Sequence, residues 1–86
     1  MARYRVIVPT SVQKALAAAH PDMQRRLRAR LTALAENPRS PGVQKFAGPD
    51  DLYRVRIGDY RAIYSIDDST RTILVVRLAH RGEAYG

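Results

Sequence analysis

The segment Leu52 to Tyr64, LYRVRIGDYRAIY, constrains the chain most, because its alternation and its Gly58-Asp59 dipeptide specify two short strands joined as a hairpin. Side chains on a strand alternate between faces, so Tyr53, Val55 and Ile57 share one face while Arg54 and Arg56 share the other. The apolar face is the one that packs. Gly-Asp is a two-residue turn signal, with the glycine free to take positive φ at the first loop position. Closing the loop there sets Ile57 against Tyr60, Arg56 against Arg61, and Arg54 against Ile63.

Arg56 and Arg61 are therefore expected as cross-strand neighbours. Like charges in that position destabilise a sheet by a share of the roughly 0.2–1 kcal/mol that such pairs are worth. Between Leu52 and Ile66 the only carboxylate is that of turn residue Asp59. A single arginine here would read as part of a solvated face. Three converging guanidiniums without acidic neighbours point instead to a phosphate site, because the arginine fork matches phosphate oxygens.

At 86 residues the chain is long enough for one small domain, residues 1–86, and no more. It has no cysteine, and its histidines, His20 and His80, lie far apart, so a disulfide framework is excluded and no metal site is expected. No apolar run approaches the roughly 18 residues of a membrane span, and no secretory signal pattern opens the chain. A cytoplasmic protein without membrane contact or cofactor is expected. The formal net charge is +7, and 13 of the 15 basic residues are arginine. That balance suits nucleic acid, an anionic surface or an acidic protein partner.

In chain order, Arg3 to Val8 reads as a strand with Tyr4, Val6 and Val8 on one face, ended by Pro9. Thr10 to Gln13 fits a capping box that opens a short helix, and His20-Pro21-Asp22 restarts a second one. In that second helix Met23, Leu27, Leu31 and Leu34 form the apolar stripe, while Arg25, Arg26, Arg28 and Arg30 read as a solvated face. Asn37 to Asp51 is rich in proline and glycine and reads as one long connection pinned by Phe46. Its Lys45 either reaches the basic face or is an ordinary exposed lysine.

After the hairpin, Asp67 to Arg71 is a polar turn, and Thr72 to Ala79 is apolar on both faces apart from Arg77, as in an interior strand buried on both sides. A five-residue turn sets Arg61 opposite Arg77, with Ala79 and Arg81 following on the basic face. A four-residue turn reverses that parity.

The resulting order, β-α-α-β-β-β with the helices grouped on one side of a small, mostly antiparallel sheet, is α+β. The uncovered face then presents Arg54, Arg56, Arg61 and Arg81, with Tyr85 beyond the last strand. Such a set suits RNA cleavage, in which a 2′-hydroxyl attacks the adjacent phosphate and guanidiniums stabilise the charge growing on the phosphoryl oxygens. Crowded positive charge favours a phenolate and eases release of an arginine proton, so Tyr85 suits a base and Arg81 an acid. Alternation sends His80 to the face opposite Arg81.

YRVRIGDYRAIYSID followed by HRGEAY resembles the RelE branch of the RelE/ParE toxin superfamily, the toxins of type II toxin–antitoxin pairs. The likeness extends over the opening strand, the helical hairpin, the KFAG loop, the YRAIY strand and the HRGEAY ending. It implies a RelE-like fold and a ribosome-dependent endoribonuclease that cuts mRNA in the ribosomal A site without a metal and is neutralised by an antitoxin. By motif, Arg61 and Arg81 fall on the family's phosphate-stabilising and acid arginines, and Tyr85 on its catalytic tyrosine. Arg54 and Arg56 stand where the family has paired lysines, a change that keeps charge but alters reach. Lys45 and Arg77 complete the expected RNA-binding set.

Two other functions fit the same outline. One is a ParE-like inhibitor of DNA gyrase, a type that lacks this arginine and tyrosine set. The other is an inactive RNA- or antitoxin-binding module. An acidic, disordered antitoxin segment that folds over the basic face would suit the charge in any of these cases.

Overall fold

The computed structural model describes residues 3–46 and 52–81. Among these the elements are β1 (Arg5–Ile7), α1 (Thr10–Ala18), α2 (Pro21–Glu36), β2 (Val43–Lys45), β3 (Leu52–Ile57), β4 (Tyr60–Asp67) and β5 (Thr72–His80). The strands form one sheet in the order β1-β5-β4-β3-β2, with β1 parallel to β5 and the other neighbours antiparallel. Parallel pairing of β1 needs a crossover, and the two helices supply it. The α+β expectation holds, with one correction. The connection after α2 contains a short edge strand, β2, because Val43 and Lys45 fall opposite Val55 and Tyr53 and their backbone completes the β3 ladder.

Both helices cover one face of the sheet. Val12 and Leu16 from the first helix, Ala19 at its C-cap, and Leu27, Leu31 and Leu34 from the second helix pack on Tyr53, Val55, Ile57, Ala62, Tyr64, Ile66, Ile73, Val75 and Leu78. The α2 stripe is the expected one, with Met23 partly buried at its start. Pro21 sits at the first helical position, and His20 Nδ1 accepts from the Asp22 amide. The capping box does not form. Thr10 is already helical behind Pro9, and Gln13 instead donates its side-chain amide to the Val8 carbonyl, tying the helix to β1.

The β3–β4 register is the one the Gly58-Asp59 turn requires: Ile57 faces Tyr60, Arg56 faces Arg61, and Arg54 faces Ile63. Gly58 has φ +59°, and a Cβ there would lie 2.9 Å from Met23 Cε. The positive φ is what calls for glycine here, while a Cβ would also press on the flexible end of Met23 where α2 passes over the turn.

The β4–β5 register differs from the five-residue expectation. Asp67 pairs with Thr72, leaving a four-residue turn, and the register then shifts by one residue between Tyr64, opposite Val75, and Ile63, opposite Arg77. Val76 is the extra residue of this bulge. Without the shift Ile73 and Val75 could not share the buried face with Leu78. Arg61 accordingly faces Ala79 and not Arg77. The β5 strand is interior, as expected, but it is not buried on both sides: Leu74 and Val76 are 36% and 44% exposed.

A polar network closes the turn end of the sheet. Arg39, between α2 and β2, donates to both oxygens of Asp68 and to the Tyr53 hydroxyl, and the Tyr4 hydroxyl donates to the same carboxylate. The buried Tyr64 hydroxyl donates to the Pro38 carbonyl at 2.7 Å. Burial pushes its phenol up to about 12.

Candidate phosphate-binding face

The side chains that alternate away from the core make the uncovered face of the sheet. Its rows follow from the pairing. Arg56, Arg61 and Ala79 stand side by side at the β3–β4 turn end; Gln44, Arg54, Ile63 and Arg77 form the next row; Leu52, Ser65, Leu74 and Ile7 form the third. Among the described residues the first two rows carry no carboxylate. Asp67 lies at the far end, beside Thr72.

Local bonds aim the arginines. Arg56 donates from Nε to the Gly58 carbonyl at 3.4 Å, which draws its guanidinium toward the turn. One rung beyond Tyr60 and His80, the Arg81 amide donates to the Asp59 carbonyl at 2.6 Å, extending the pairing past the end of β5. Its Nη1 lies 3.6 Å from Asp59 Oδ1. Ala79, between Arg61 and Arg81 on this face, has no bulk to separate them. Arg56, half-buried Arg61 and Arg81 therefore gather at one end of the sheet.

Arg54 is drawn the other way. Its Nε donates to Gln44 Oε1 at 3.1 Å, and its guanidinium lies 5.3 Å from the centroid of the Phe46 ring. Arg77 stands exposed beside Ile63, one row from Arg61. Lys45 does not join them. Its pairing with Tyr53 puts it on the opposite side of the sheet, where its ammonium lies 5.9 Å from the Tyr53 ring. Tyr85 lies outside the described residues. His80 packs edge-on to Tyr60 with ring centroids 5.1 Å apart, on the side away from Arg61 and Arg81, as alternation requires.

Two partners of these arginines escaped the sequence reading. Gln44 was hidden because β2 lay inside a stretch rich in proline and glycine. Asp59 was visible as the lone carboxylate of the hairpin, but its link to Arg81 depends on the β4–β5 register. A groove of about 730 Å³ runs along β1 and both helices, lined by Val6, Val8, Leu16, Leu31 and Ala35. It is remote from the Arg56, Arg61 and Arg81 cluster and has no acid–base pair of its own.

The arrangement suits binding of an anion with several oxygens, held by forked donors on a rigid sheet. Comparison with known proteins agrees with the fold. Residues 4–85 match the family model described as the ParE toxin of type II toxin–antitoxin systems. A chain of the archaeal RelE–RelB complex from Pyrococcus horikoshii is similar at 36% identity and TM-score 0.84, over 98% of this chain and all of that one. The RelBE2 toxin–antitoxin complex of Mycobacterium tuberculosis matches in fold at TM-score 0.76 and 23% identity, over 92% of this chain and 99% of that one. The RelBE complex of E. coli matches likewise at TM-score 0.77 and 20% identity, over 90% of this chain and 95% of that one. A search of curated proteins gave no match. The family match over nearly the whole chain, on a fold shared with RelE structures, makes the protein a member of the RelE/ParE superfamily of type II toxins.

Proposed function

We propose that this toxin is a ribosome-dependent mRNA endoribonuclease whose reaction runs on the uncovered face of the sheet. The observation that carries the reading is the gathering of Arg56, Arg61 and Arg81 at one end of that face. In the reaction the 2′-hydroxyl gives up its proton, its oxygen bonds to the adjacent phosphorus, and the P–O5′ bond breaks with a proton delivered to O5′. Arg61 and Arg56 stabilise the charge on the phosphoryl oxygens, worth about 10²–10³ in rate for one such donor. Tyr85 takes the first proton and Arg81 supplies the second. Arg54 and Arg77 hold flanking phosphates. Lys45, on the other side of the sheet, has no part in this scheme.

The face also suits an antitoxin. Beside the basic rows, Ile7, Leu74 and Val76 are exposed at 41%, 36% and 44%. RNA phosphates do not use such a row, whereas an acidic amphipathic segment covers it and neutralises Arg54, Arg61 and Arg77 together. The structural neighbours are themselves toxin–antitoxin complexes, which supports this partner.

Inhibition of gyrase is the second reading, favoured by the name of the matching family model. The test is to incubate the purified protein with a translated mRNA, with and without ribosomes, and to map ends by primer extension beside a gyrase supercoiling assay. Ribosome-dependent cuts that Arg61→Ala abolishes support the nuclease. Loss of supercoiling without cuts supports the gyrase reading. Neither effect marks a binding module.

A further inference from the structure

Among the described residues, Asp59 carries a carboxylate that pairs with an arginine of the cluster, and its position is fixed from two directions. It is the second residue of the β3–β4 turn, and the Arg81 amide donates to its carbonyl at 2.6 Å. The pairing that carries Arg61 and Ala79 onto the uncovered face carries Asp59 and Arg81 onto the same face, one repeat further on. Their side chains meet at 3.6 Å, and both stay open to water, Arg81 68% and Asp59 61% exposed.

An ion pair this long and this exposed contributes little to folding, within the 0–1 kcal/mol usual for surface pairs. It is a poor staple. It does, however, place a carboxylate oxygen where a phosphate oxygen would approach Arg81, next to the rungs that carry Arg56 and Arg61. We propose that Asp59 is an internal counter-ion for Arg81, which an incoming phosphate must displace. The proposal rests on the reading of this face as an RNA-binding surface.

Displacement is easy for a ligand that engages Arg56 and Arg61 as well, since the fork of Arg81 then exchanges one carboxylate oxygen for a phosphate already held nearby. It is harder for an isolated phosphate, which gains Arg81 alone. Asp59 thus weakens stray anion binding more than it weakens binding of a strand that spans the cluster. The main-chain bond from Arg81 to Asp59 does not depend on the carboxylate, so Asp59→Asn removes the charge and leaves the backbone in place.

The test uses a short single-stranded RNA with 2′-O-methyl riboses, which lacks the attacking hydroxyl, and measures its affinity by fluorescence anisotropy without ribosomes. Four proteins are compared: wild type, Asp59→Asn, Arg81→Ala and the double variant. Asp59→Asn is expected to tighten binding about two- to five-fold, the scale of an exposed pair, and to have no such effect once Arg81 is alanine. An equal gain in both backgrounds means a long-range charge effect and overturns the proposal while the RNA-binding face stands. No gain in either background overturns it in the same way. If wild type and Asp59→Asn both fail to bind, the RNA reading of the face and the counter-ion fall together. Independently of RNA, the Arg81 Nε–Hε resonance of the free protein is expected to move in Asp59→Asn; an unmoved resonance also overturns the pairing.

Discussion

The two faces of the sheet are made by the same strands and differ in almost everything else. On β4, Ala62, Tyr64 and Ile66 are buried beneath the helices while Arg61, Ile63 and Ser65 between them look outward. On β5, Ile73 is fully buried and its neighbour Leu74 is 36% exposed. The covered face is held by apolar burial, worth roughly 1.5–3 kcal/mol for each large side chain. The uncovered face sets arginine against arginine, which no folding requirement favours. Stability and ligand chemistry are thus separated by a single step along the strand, and substitutions on the two faces should separate in the same way.

The largest expected effect tests the covered face. Ile73→Ala should lower unfolding free energy by about 2–5 kcal/mol, the range for truncating a buried aliphatic side chain. Leu74→Ala, one residue on, should change it by no more than about 0.5 kcal/mol. Urea unfolding of both variants checks this, and equal losses would break the comparison.

On the other face, Arg61→Ala should slow RNA cleavage about 100-fold or more, without lowering the urea midpoint. A fall in both quantities would make Arg61 a structural residue.

Gly58 joins the two faces, because its turn sets their register and α2 leans over it. Gly58→Ala should cost about 1–2 kcal/mol from the left-handed backbone alone, more where Met23 cannot withdraw. Thermal unfolding reads this out, together with that of Asp59→Ala, where φ is not positive and the loss should be smaller.

The smallest effect concerns pH. The Asp68 carboxyl lies below the usual carboxylate range, first because Arg39 and then because Tyr4 hydrogen-bonds to it. A carboxyl depressed by folding contributes stability above its unfolded pKa of about 4, and that contribution is lost as pH falls through the folded value. The Tyr4 phenol is raised, chiefly by its bond to Asp68, so its contribution is present below about 10 and is lost as pH rises through the higher folded value. Asp68→Asn should therefore be less stable than wild type at pH 7, with the difference shrinking toward pH 2. Urea midpoints across that range check the sign.

Local chemistry is legible in the sequence wherever one short segment decides it. The glycine in the β3–β4 turn and the alternation on either side were enough to place Arg54, Arg56 and Arg61 on a common face, because a tight two-residue loop leaves only one register. The α2 stripe and its proline start were equally local. The expected capping box failed because Gln13 had a competing partner, the Val8 carbonyl, that belongs to another element.

Tertiary structure decided the rest. A polar turn between β4 and β5 is compatible with either parity, and only the packing of Ile73, Val75 and Leu78 under the helices selects the four-residue turn with its bulge at Val76. That choice moved Arg61 from Arg77 to Ala79, and it brought Arg81 to Asp59. The side taken by Lys45 likewise followed from β2, which exists because β3 offers it an edge to complete. A turn closed by glycine carries its register in its own backbone, whereas a longer polar turn takes its register from the core that its strands must bury.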